Sequence, residues 1–228
     1  MKVDLNVDIA EGFPYDEALL DFATSANICL GVHAGNRELT LRTIERCKRK
    51  GVRIGLHPGF NDRATMGRGR VDEDQLESFA ENLISQCQAF LDDGHGFAYV
   101  KPHGELYRWL TADYPGQEFP CHPALRPFLD WACCEIKLPM MLLPCPLADH
   151  IPTIREGFAD RAYGPDGRLV PRSEPGAVHS SQEMIVKQAL ALVGKVDSIC
   201  LHGDGEHCVE HAAATVKAMR EHHIEVRA

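Results

Sequence analysis

Short apolar runs alternate with longer amphipathic stretches along the whole chain, about seven times. The first three apolar runs cover residues 3–9, 26–30 and 52–56, and amphipathic stretches follow at 16–23, 38–50 and 72–92. Strands that alternate with helices are typical of parallel βα units. Because no shift in composition marks a linker, we expect one catalytic domain over residues 1–228.

The second half of the chain continues this alternation. It predicts strands at 97–100, 139–143, 157–159 and 198–201, and helices at 124–134, 147–155, 181–193 and 206–223. Residues 106–109 are predicted as a helical turn, 113–123 and 162–178 as loops, and 224–227 as a terminal strand. Seven strands in one domain favour a (βα) barrel, with an open doubly wound sheet as the alternative.

Composition and charge exclude several classes of protein. The formal net charge of -9 is not expected of a protein that binds nucleic acid through a basic patch. No apolar run approaches the ~20 residues of a membrane span. Charged residues occupy the start of the chain, where a signal peptide would need its apolar segment, and we therefore expect a cytoplasmic protein.

The cysteines fit a reduced compartment. There are nine of them, an odd number, and they include no CxxC pair. This pattern favours neither a zinc ribbon nor a disulfide scaffold. If a thiol were the nucleophile, Cys145 in the run 142–146 would be the best placed, but this is the minor alternative.

Polar side chains follow nearly every predicted strand at the point where the strand ends. After the fourth strand, Lys101 and His103 lie two residues apart, so strand geometry places them on the same face. The other residues of this kind are Asp8, Glu11, Asn27, His33, His57, Asp160, Arg161, His202 and Asp204. Because the carboxyl ends of barrel strands open onto one face, we expect an active-site rim here rather than solvated loops.

These side chains offer carboxylate, imidazole and cationic groups. Asp8 or Glu11 could act as a general base on water. Asp8 with His33, His57 and His103 could bind a divalent metal ion, although each histidine taken alone is more simply a hydrogen-bonded structural residue. A substrate carboxylate or phosphate could be held by Arg63, Lys101, Arg161 and Arg172. The sequence contains neither GxxxxGK[ST] nor a strand-linked GxGxxG, so it lacks a familiar nucleotide signature.

Several segments match the motifs of one protein family, in order along nearly the whole chain. The opening motifs are Asn6-x-Asp8-Ile9-x-Glu11-Gly12, Ser25-Ala26-Asn27-Ile28 with Gly31-x-His33-Ala34-Gly35, and Gly55-x-His57-Pro58. The middle motif is Val100-Lys101-Pro102-His103-Gly104-x-Leu106-Tyr107. The later motifs are the long segment 158–173 and Cys200-Leu201-His202-Gly203-Asp204. On these residues the chain resembles the LamB/YcsF family.

The resemblance implies an α/β fold, a distorted seven-stranded TIM-like barrel of the glycoside hydrolase and deacetylase type. It implies the role of the A subunit in a 5-oxoprolinase, which uses ATP as co-substrate to open the lactam of 5-oxo-L-proline to L-glutamate, with partner subunits B and C. The expected catalytic residues are Asp8, Glu11, His57, Lys101 and His103. The expected substrate-binding residues are Asn27, His33, Arg63, Asp160, Arg161, Arg172, His202 and Asp204.

The sequence departs from the family pattern at several rim positions. Leu30 stands where a cysteine is usual, Asn36 replaces an aspartate, and segments 59–61 and 205–207 differ. The chain is also somewhat short before the seventh strand. The alternatives are therefore a metal-dependent amidase or carbohydrate deacetylase-like hydrolase, and a non-catalytic lactam- or sugar-binding module. A homo-oligomer is an additional expectation, whereas nucleic-acid and membrane partners are not expected.

Overall fold

The structure is a computed structural model that describes residues 1–114 and 117–228. Its strands are β1 (Lys2–Ile9), β2 (Ser25–Cys29), β3 (Arg53–His57), β4 (Met140–Leu142), β5 (Thr153–Phe158), β6 (Ser198–His202) and β7 (Glu225–Val226). Its α-helices are α1 (Asp16–Leu19), α2 (Arg37–Lys50), α3 (Glu73–Ala80), α4 (Leu83–Leu91), α5 (Gly104–Thr111), α6 (Arg126–Asp130), α7 (Gln182–Leu192) and α8 (Cys208–Glu221). Short 3-10 or π-helical segments cover Pro123–Leu125, Trp131–Glu135 and Pro146–Asp149.

Six strands form one curled parallel sheet in the order β3-β2-β1-β6-β5-β4, and β7 pairs with the start of β1. The predicted α/β class with parallel strands is therefore confirmed. In the register of the sheet, Asp8 of β1 lies opposite Asn27 of β2 and His202 of β6. The pairing thus collects polar residues near the carboxyl ends of the central strands.

Residues 98–101 lie between the two outer strands of the sheet. Val100 forms single parallel bridges with Leu56 of β3 and with Met140 of β4. The Lys101 amide donates a hydrogen bond to the Leu56 carbonyl, and the Met141 amide donates one to the Val100 carbonyl, both at 2.8 Å. The prediction of a regular strand at 97–100 is wrong, because one bridged residue does not make a strand, but the segment contacts both neighbours.

Strand β1 shows how the sheet acquires one apolar and one polar face. Leu5 and Val7 are fully buried in the hydrophobic core, which also contains Ile44 of α2 and Met219 of α8. The alternate residues of the strand point to the opposite face, and Asn6 among them is also fully buried. Buried polar groups require hydrogen-bond partners, and the inner face of the sheet is accordingly a polar network.

Helix α2 shows how local sequence sets the ends of an element. The Asn36 side chain accepts a hydrogen bond from the Leu39 amide at 2.9 Å, which caps the start of the helix. Gly51, with φ of 69°, ends the helix in the left-handed conformation, as the sequence predicts. Because asparagine and aspartate cap equally well, the departure from the family pattern at Asn36 leaves this function intact.

Several predicted helices have different limits in the structure. The predicted helix at 72–92 is divided into α3 and α4 at Glu81 and Asn82, and asparagine favours helix ends over helix interiors. The predicted turn at 106–109 is part of the longer helix α5. The predicted helix at 124–134 combines a 3-10 turn, α6 and a π-helical segment.

The prediction of a helix at 147–155 is wrong. A 3-10 turn covers Pro146–Asp149, and β5 already begins at Thr153. Thr153 and Ile154 are β-branched, and such residues favour strands. The predicted strand at 157–159 is therefore the end of a longer one. Residues 115 and 116, in the predicted loop 113–123, lie outside the described residues.

Among the helices that the structure describes, none combines the length and the apolar character needed to cross a membrane.

Candidate active site

An ion pair on the polar face of the sheet forms the centre of the site. Lys101 Nζ lies 2.9 Å from Asp8 Oδ1 and 2.8 Å from Glu156 Oε1. All three residues are buried, with at most 6% of their surface exposed. Asp8 lies near the end of β1, Glu156 belongs to β5, and Lys101 follows the bridged Val100. Strand pairing therefore brings three distant segments to one point.

Burial and charge oppose each other at this ion pair. Burial disfavours the ammonium group of Lys101, but the carboxylates of Asp8 and Glu156 outweigh it and hold its pKa well above the ordinary value. Burial likewise would raise the pKa of Asp8, but Lys101 and the neighbouring histidines hold it well below the ordinary value. Lys101 and Asp8 are therefore both charged at neutral pH. At Glu156 burial outweighs Lys101, and the pKa of this carboxyl is raised.

Two amides and a phenol hold Asp8 in place. Asn27 Nδ2 donates hydrogen bonds to Asp8 Oδ1 and Asn6 Oδ1, both at 2.7 Å. The Tyr99 hydroxyl donates to Asn27 Oδ1, also at 2.7 Å. Asn6 Nδ2 in turn donates to Ser198 Oγ at 2.8 Å. The sequence predicts that Asn27 binds substrate; in the structure both hydrogen bonds of its amide nitrogen go to Asp8 and Asn6.

Three histidines and a carboxylate form a second buried group. The group consists of Glu11, His33, His57 and His103, and all four residues are buried. Each residue offers one atom that could bind a metal ion, and these four atoms lie within 4.8 Å of one another. His57 Nε2 lies 2.9 Å from His103 Nδ1. The His33 ring stacks on the His103 ring, with centroids 3.9 Å apart and planes inclined by 4°. Glu11 Oε1 lies 3.4 Å from His103 Nδ1 and 3.6 Å from His33 Nε2.

The structure changes one member of the metal-ligand set expected from the sequence. His33, His57 and His103 lie together, but Glu11 rather than Asp8 completes the group. Asp8 is adjacent, with Oδ2 at 3.6 Å from His57 Nε2. Burial lowers the pKa of His57 to about 4, because the opposing effect of the Asp8 carboxylate is smaller than that of burial. Burial also holds the pKa of His103 well below its ordinary value.

His202 is oriented by Asp160. Asp160 accepts a hydrogen bond from the His202 backbone amide at 2.9 Å, and its carboxylate lies 3.0 Å from His202 Nδ1. Because a carboxylate only accepts, Nδ1 carries the hydrogen, and Nε2 faces Asp8 Oδ2 at 3.8 Å. Burial would raise the pKa of Asp160, but His202 outweighs it and lowers the pKa to about 2. An imidazole held by a carboxylate is suited to general acid–base catalysis.

Asp204 joins two arginines. Its Oδ2 accepts hydrogen bonds from Arg172 Nη1 at 2.8 Å and from Arg68 Nη2 at 2.9 Å. Arg172 Nη2 is buried and has no hydrogen-bond partner among the residues that the structure describes. A buried guanidinium nitrogen with free hydrogens is suited to binding a carboxylate or phosphate oxygen.

Two other expected anion-binding residues brace loops. Arg63 is exposed and donates to the carbonyls of Gly31 and Gly35, at 3.0 and 2.8 Å. Arg161 donates to two carbonyls of the loop 170–177, and burial lowers its pKa to about 10. Donors of Arg63 are therefore committed to the loop that carries His33, and donors of Arg161 are committed to the loop 170–177.

A single cavity of about 1440 Å³ connects most of these groups. The expected site residues that line it are Asp8, His57, Lys101, His103, Arg161, Arg172 and His202. It is also lined by Arg68, Glu105, Tyr107 and Cys145. Because small-molecule pockets usually measure roughly 300–1,000 Å³, this cavity has room for a ligand larger than one small ring.

Close packing of two loops brings Arg68 to the cavity. Gly104 has φ of 54°, and a Cβ atom at this position would lie 2.4 Å from the Gly67 carbonyl oxygen. The Glu105 amide donates to that oxygen at 2.9 Å. The absence of a side chain at Gly104 thus lets the loop 66–70 pack against the start of α5.

Neither Glu156 nor Arg68 is among the site residues that the sequence predicts. The predicted helix at 147–155 ends just before Glu156, so the prediction does not place Glu156 on the inner face of a strand. In the structure Glu156 belongs to β5. A strand assignment would have placed Ile154 and Glu156 on one face, and a buried glutamate there needs a cation. The sequence presents Tyr107 only as a member of the middle motif, whereas in the structure its hydroxyl donates a hydrogen bond to Glu156 Oε2 at 3.0 Å.

Cys145 lines the cavity, but burial raises the pKa of its thiol. A raised pKa disfavours the thiolate that a nucleophile requires. All nine cysteines lie within the described residues and are free thiols there.

The fold and the site define an α/β protein with a polar cavity at the carboxyl ends of a curled parallel sheet. A family 4 carbohydrate esterase from Streptomyces lividans shares this fold over 99% of this chain and 91% of its own, with a TM-score of 0.54 and 12% identity. At this level of identity the likeness concerns the fold alone.

The sequence comparisons are more specific than this likeness of fold, because they identify the family. The model of the LamB/YcsF family matches residues 3–228, and the chain belongs to this family. The A subunit of 5-oxoprolinase from Haemophilus influenzae (strain PittGG) is 36% identical over 245 residues, which cover 100% of this chain and 99% of the relative. The crystal structure of a lactam utilization protein from Thermus thermophilus covers 100% of both chains, with a TM-score of 0.81 and 28% identity. The resemblance found in the motifs is confirmed.

Proposed function

We propose that this chain serves as the A subunit of an ATP-dependent 5-oxoprolinase, which opens the lactam of 5-oxo-L-proline to L-glutamate. The observation that carries the proposal is the full-length similarity, at 36% identity, to the A subunit of a 5-oxoprolinase. The partners are then subunits B and C, and ATP is a co-substrate. The reaction takes place in the cytoplasm, where the nine free thiols are stable.

The cavity supports an anionic substrate. At neutral pH 5-oxo-L-proline carries a carboxylate beside its lactam, and the activated substrate also carries a phosphate. Arg172 offers the buried Nη2 that has no partner among the described residues, and Arg68 adds a second guanidinium through Asp204. The cavity, at about 1440 Å³, is large enough for both the lactam and a phosphate.

The chemistry must overcome the stability of a five-membered lactam. The γ-phosphoryl group of ATP is transferred to the lactam oxygen, which releases ADP and makes the ring carbon more electrophilic. Water then adds to this carbon, the ring C–N bond breaks, and the nitrogen takes a proton. The resulting acyl phosphate reacts with a second water to give L-glutamate and phosphate.

We propose that His202 accepts the proton of the attacking water. Asp160 holds its Nδ1–H, and its Nε2 faces the cavity beside Asp8. Asp8 was expected to be a base, but the pKa of this carboxyl is held so low that it is better suited to stabilising a nearby positive charge. Lys101 keeps Asp8 ionised and in place.

The same family relationship supports a closed architecture. We infer a distorted seven-stranded TIM-like barrel that forms one domain over residues 1–228. Its support is the segment 98–101, which is hydrogen-bonded to β3 on one side and to β4 on the other. A closed barrel would place all the strand ends around one cavity.

The test is glutamate release from 5-oxo-L-proline by the purified chain together with its cognate subunits B and C and ATP. We expect one ADP per glutamate, and no release when any component is left out. His202→Gln should lower kcat by ~100-fold or more, as loss of a general base does. Arg155→Gln, on an exposed residue, is the matched control. If the complete mixture forms no glutamate, the proposal is wrong.

A second candidate is a metal-dependent amidase or deacetylase that acts without ATP. This candidate is favoured by the buried set Glu11, His33, His57 and His103, which we call the Glu11 group. Two of its members, His57 and His103, line the cavity. Acetate release from an acetylated chitooligosaccharide, measured without ATP or partner subunits, would support this candidate. Calorimetric binding of 5-oxo-L-proline with no turnover in either assay would instead indicate a binding module.

A further inference from the structure

Two histidines of the Glu11 group face each other through nitrogens that carry no hydrogen. His57 Nδ1 lies 2.7 Å from the Lys101 carbonyl oxygen, and His103 Nε2 lies 2.8 Å from the Met66 carbonyl oxygen. A carbonyl oxygen only accepts, so these two nitrogens are the donors. In neutral rings the other nitrogens, His57 Nε2 and His103 Nδ1, hold lone pairs, and they lie 2.9 Å apart. Two facing lone pairs require a positive centre close to both.

The Glu11 carboxylate points at the same place. Its Oε1 lies 3.4 Å from His103 Nδ1 and 3.9 Å from His57 Nε2. This oxygen is buried and has no hydrogen-bond partner within the described part of the chain. A zinc ion with bonds of about 2.0–2.1 Å in tetrahedral geometry holds its ligand atoms roughly 3.3 Å apart. The distances among Glu11 Oε1, His57 Nε2 and His103 Nδ1 are 2.9, 3.4 and 3.9 Å, and they lie on both sides of this value.

His33 has a different role from the other two histidines. Its ring is parallel to that of His103, with planes inclined by 4° and centroids 3.9 Å apart. Imidazole lone pairs lie in the plane of the ring, so two stacked rings cannot direct them at one ion. The His57 ring, by contrast, is inclined by 87° to that of His103. His33 therefore holds the orientation of His103 by stacking.

We propose that Glu11 Oε1, His57 Nε2 and His103 Nδ1 bind one divalent first-row transition-metal ion such as Zn²⁺. Two imidazole nitrogens and one carboxylate oxygen suit zinc, whereas magnesium and calcium prefer oxygen ligands. Both histidines donate their other N–H to a backbone carbonyl, as metal-binding histidines usually do. Because His57 and His103 line the cavity, the ion borders it, and three protein ligands leave a position open there.

This site does not depend on the proposed lactam chemistry, and it is tested without substrate, ATP or partner subunits. The full-length chain is treated with a chelator, dialysed and titrated with Co²⁺ and then with Zn²⁺. We expect visible absorption typical of four-coordinate Co²⁺ that saturates at one ion per chain and is abolished by Zn²⁺. Glu11→Gln keeps the size of the side chain but removes its charge. It should weaken Zn²⁺ binding by at least ~100-fold, since even loss of a supporting contact costs ~10–100-fold.

The matched control removes a second pair of histidines. His207 and His211 lie at the start of α8 with ring centroids 6.3 Å apart, and neither lines the cavity of the described residues. The double variant His207→Gln with His211→Gln should bind Co²⁺ as the unmodified chain does. If the unmodified chain gives no saturable Co²⁺ absorption, a proton rather than a metal ion bridges the histidines and the proposal is overturned. Loss of binding only in the control variant would overturn it as well. Should Glu11→Gln fail to fold by circular dichroism, His103→Gln replaces it.

Discussion

At the scale of single residues, burial decides what a polar side chain can do. The positions of Asp8 and His103 after predicted strands suggest surface residues whose replacement costs little stability. Both side chains are buried instead, since only 6% and 3% of their surfaces are exposed, and we therefore expect their replacement to lower stability. Replacing Asp8 by alanine would leave Lys101 with one carboxylate fewer in a buried environment. Loss of stability and loss of activity are therefore coupled at these residues.

Arg172 allows a sharper separation of binding from folding. If its Nη2 binds the substrate carboxylate or phosphate, Arg172→Gln should raise KM by ~10-fold or more, since a hydrogen bond to a charged group contributes about 1.5–3 kcal/mol. Steady-state kinetics of the reconstituted enzyme measure this change. Arg220→Gln, on an exposed residue of α8, should leave KM unchanged. A normal KM in the Arg172 variant would show that this arginine only supports Asp204.

Asp16 makes stability depend on pH. It is 5% exposed, its Oδ2 accepts a hydrogen bond from the Ala10 amide at 2.8 Å, and burial raises its pKa from 3.8 to about 6. Ionisation of Asp16 is thus less favourable in the folded protein than in the unfolded chain. The ionised carboxylate therefore destabilises the folded state fully above about pH 6, and this effect disappears as the pH falls towards 3.8. Asp16→Asn keeps an acceptor without the charge. It should be more stable than the unmodified protein by ~1–3 kcal/mol at pH 8.

Urea denaturation at pH 8 and at pH 4.5 would measure this difference for Asp16→Asn. The gain in unfolding free energy should be smaller at the lower pH. A gain of equal size at both pH values would mean that the charge of Asp16 is not its cause.

At the scale of secondary-structure elements, the pairing of distant strands gathers the site. Strand β1 lies between β2 and β6, although the greater part of the chain separates those two strands in the sequence. This order places Asp8 beside both Asn27 and His202. Helix ends, by contrast, follow local signals such as the cap at Asn36 and the glycine at position 51.

Strand β3 also depends on close contact with the segment 98–101. A Cβ atom added at Gly55 would lie 2.1 Å from Tyr99 Cε2, so Gly55→Ala must displace the ring that holds Asn27. We expect a loss of about 1–3 kcal/mol, as is usual for overpacking. Gly205→Ala is the matched control, because a Cβ there meets no atom of the described residues within 4 Å. Thermal or urea denaturation of both variants would measure the contrast, and equal stabilities would contradict this packing.

At the scale of the whole molecule, the inner face of the sheet is held together by polar contacts. Lys101 connects β1 with β5 through Asp8 and Glu156, and it also lies 3.1 Å from Cys200 Sγ of β6. Such a buried ion pair stabilises the fold mainly while every partner is present. Loss of one member should therefore affect the entire sheet.

The buried charges predict strongly non-additive mutations. Lys101→Met should cost ~3–5 kcal/mol of unfolding free energy, because it leaves two buried carboxylates without their cation. Adding Glu156→Gln to this variant removes one of those carboxylates and should restore part of the loss. Urea denaturation of the two single variants and the double variant forms a double-mutant cycle. Additive costs would contradict direct coupling between Lys101 and Glu156.

The sequence by itself determined the α/β class, the family, the strand ends that carry Asp8 and His57, and the segment that carries Lys101 and His103. These features depend on local patterns: alternation of apolar residues, helix caps, and glycine or proline where a strand stops. It also predicted that the polar residues meet, because the carboxyl ends of parallel strands open on one side.

Only the tertiary structure decided how those residues are divided among roles. It placed Glu11, rather than Asp8, with the three histidines, and it brought Glu156 to Lys101 and Arg68 to Asp204. It also turned Arg63 towards loop carbonyls. Each outcome depends on distances of a few ångströms between segments far apart in the chain. Sheet register and loop packing set such distances, and no local pattern in the sequence records them.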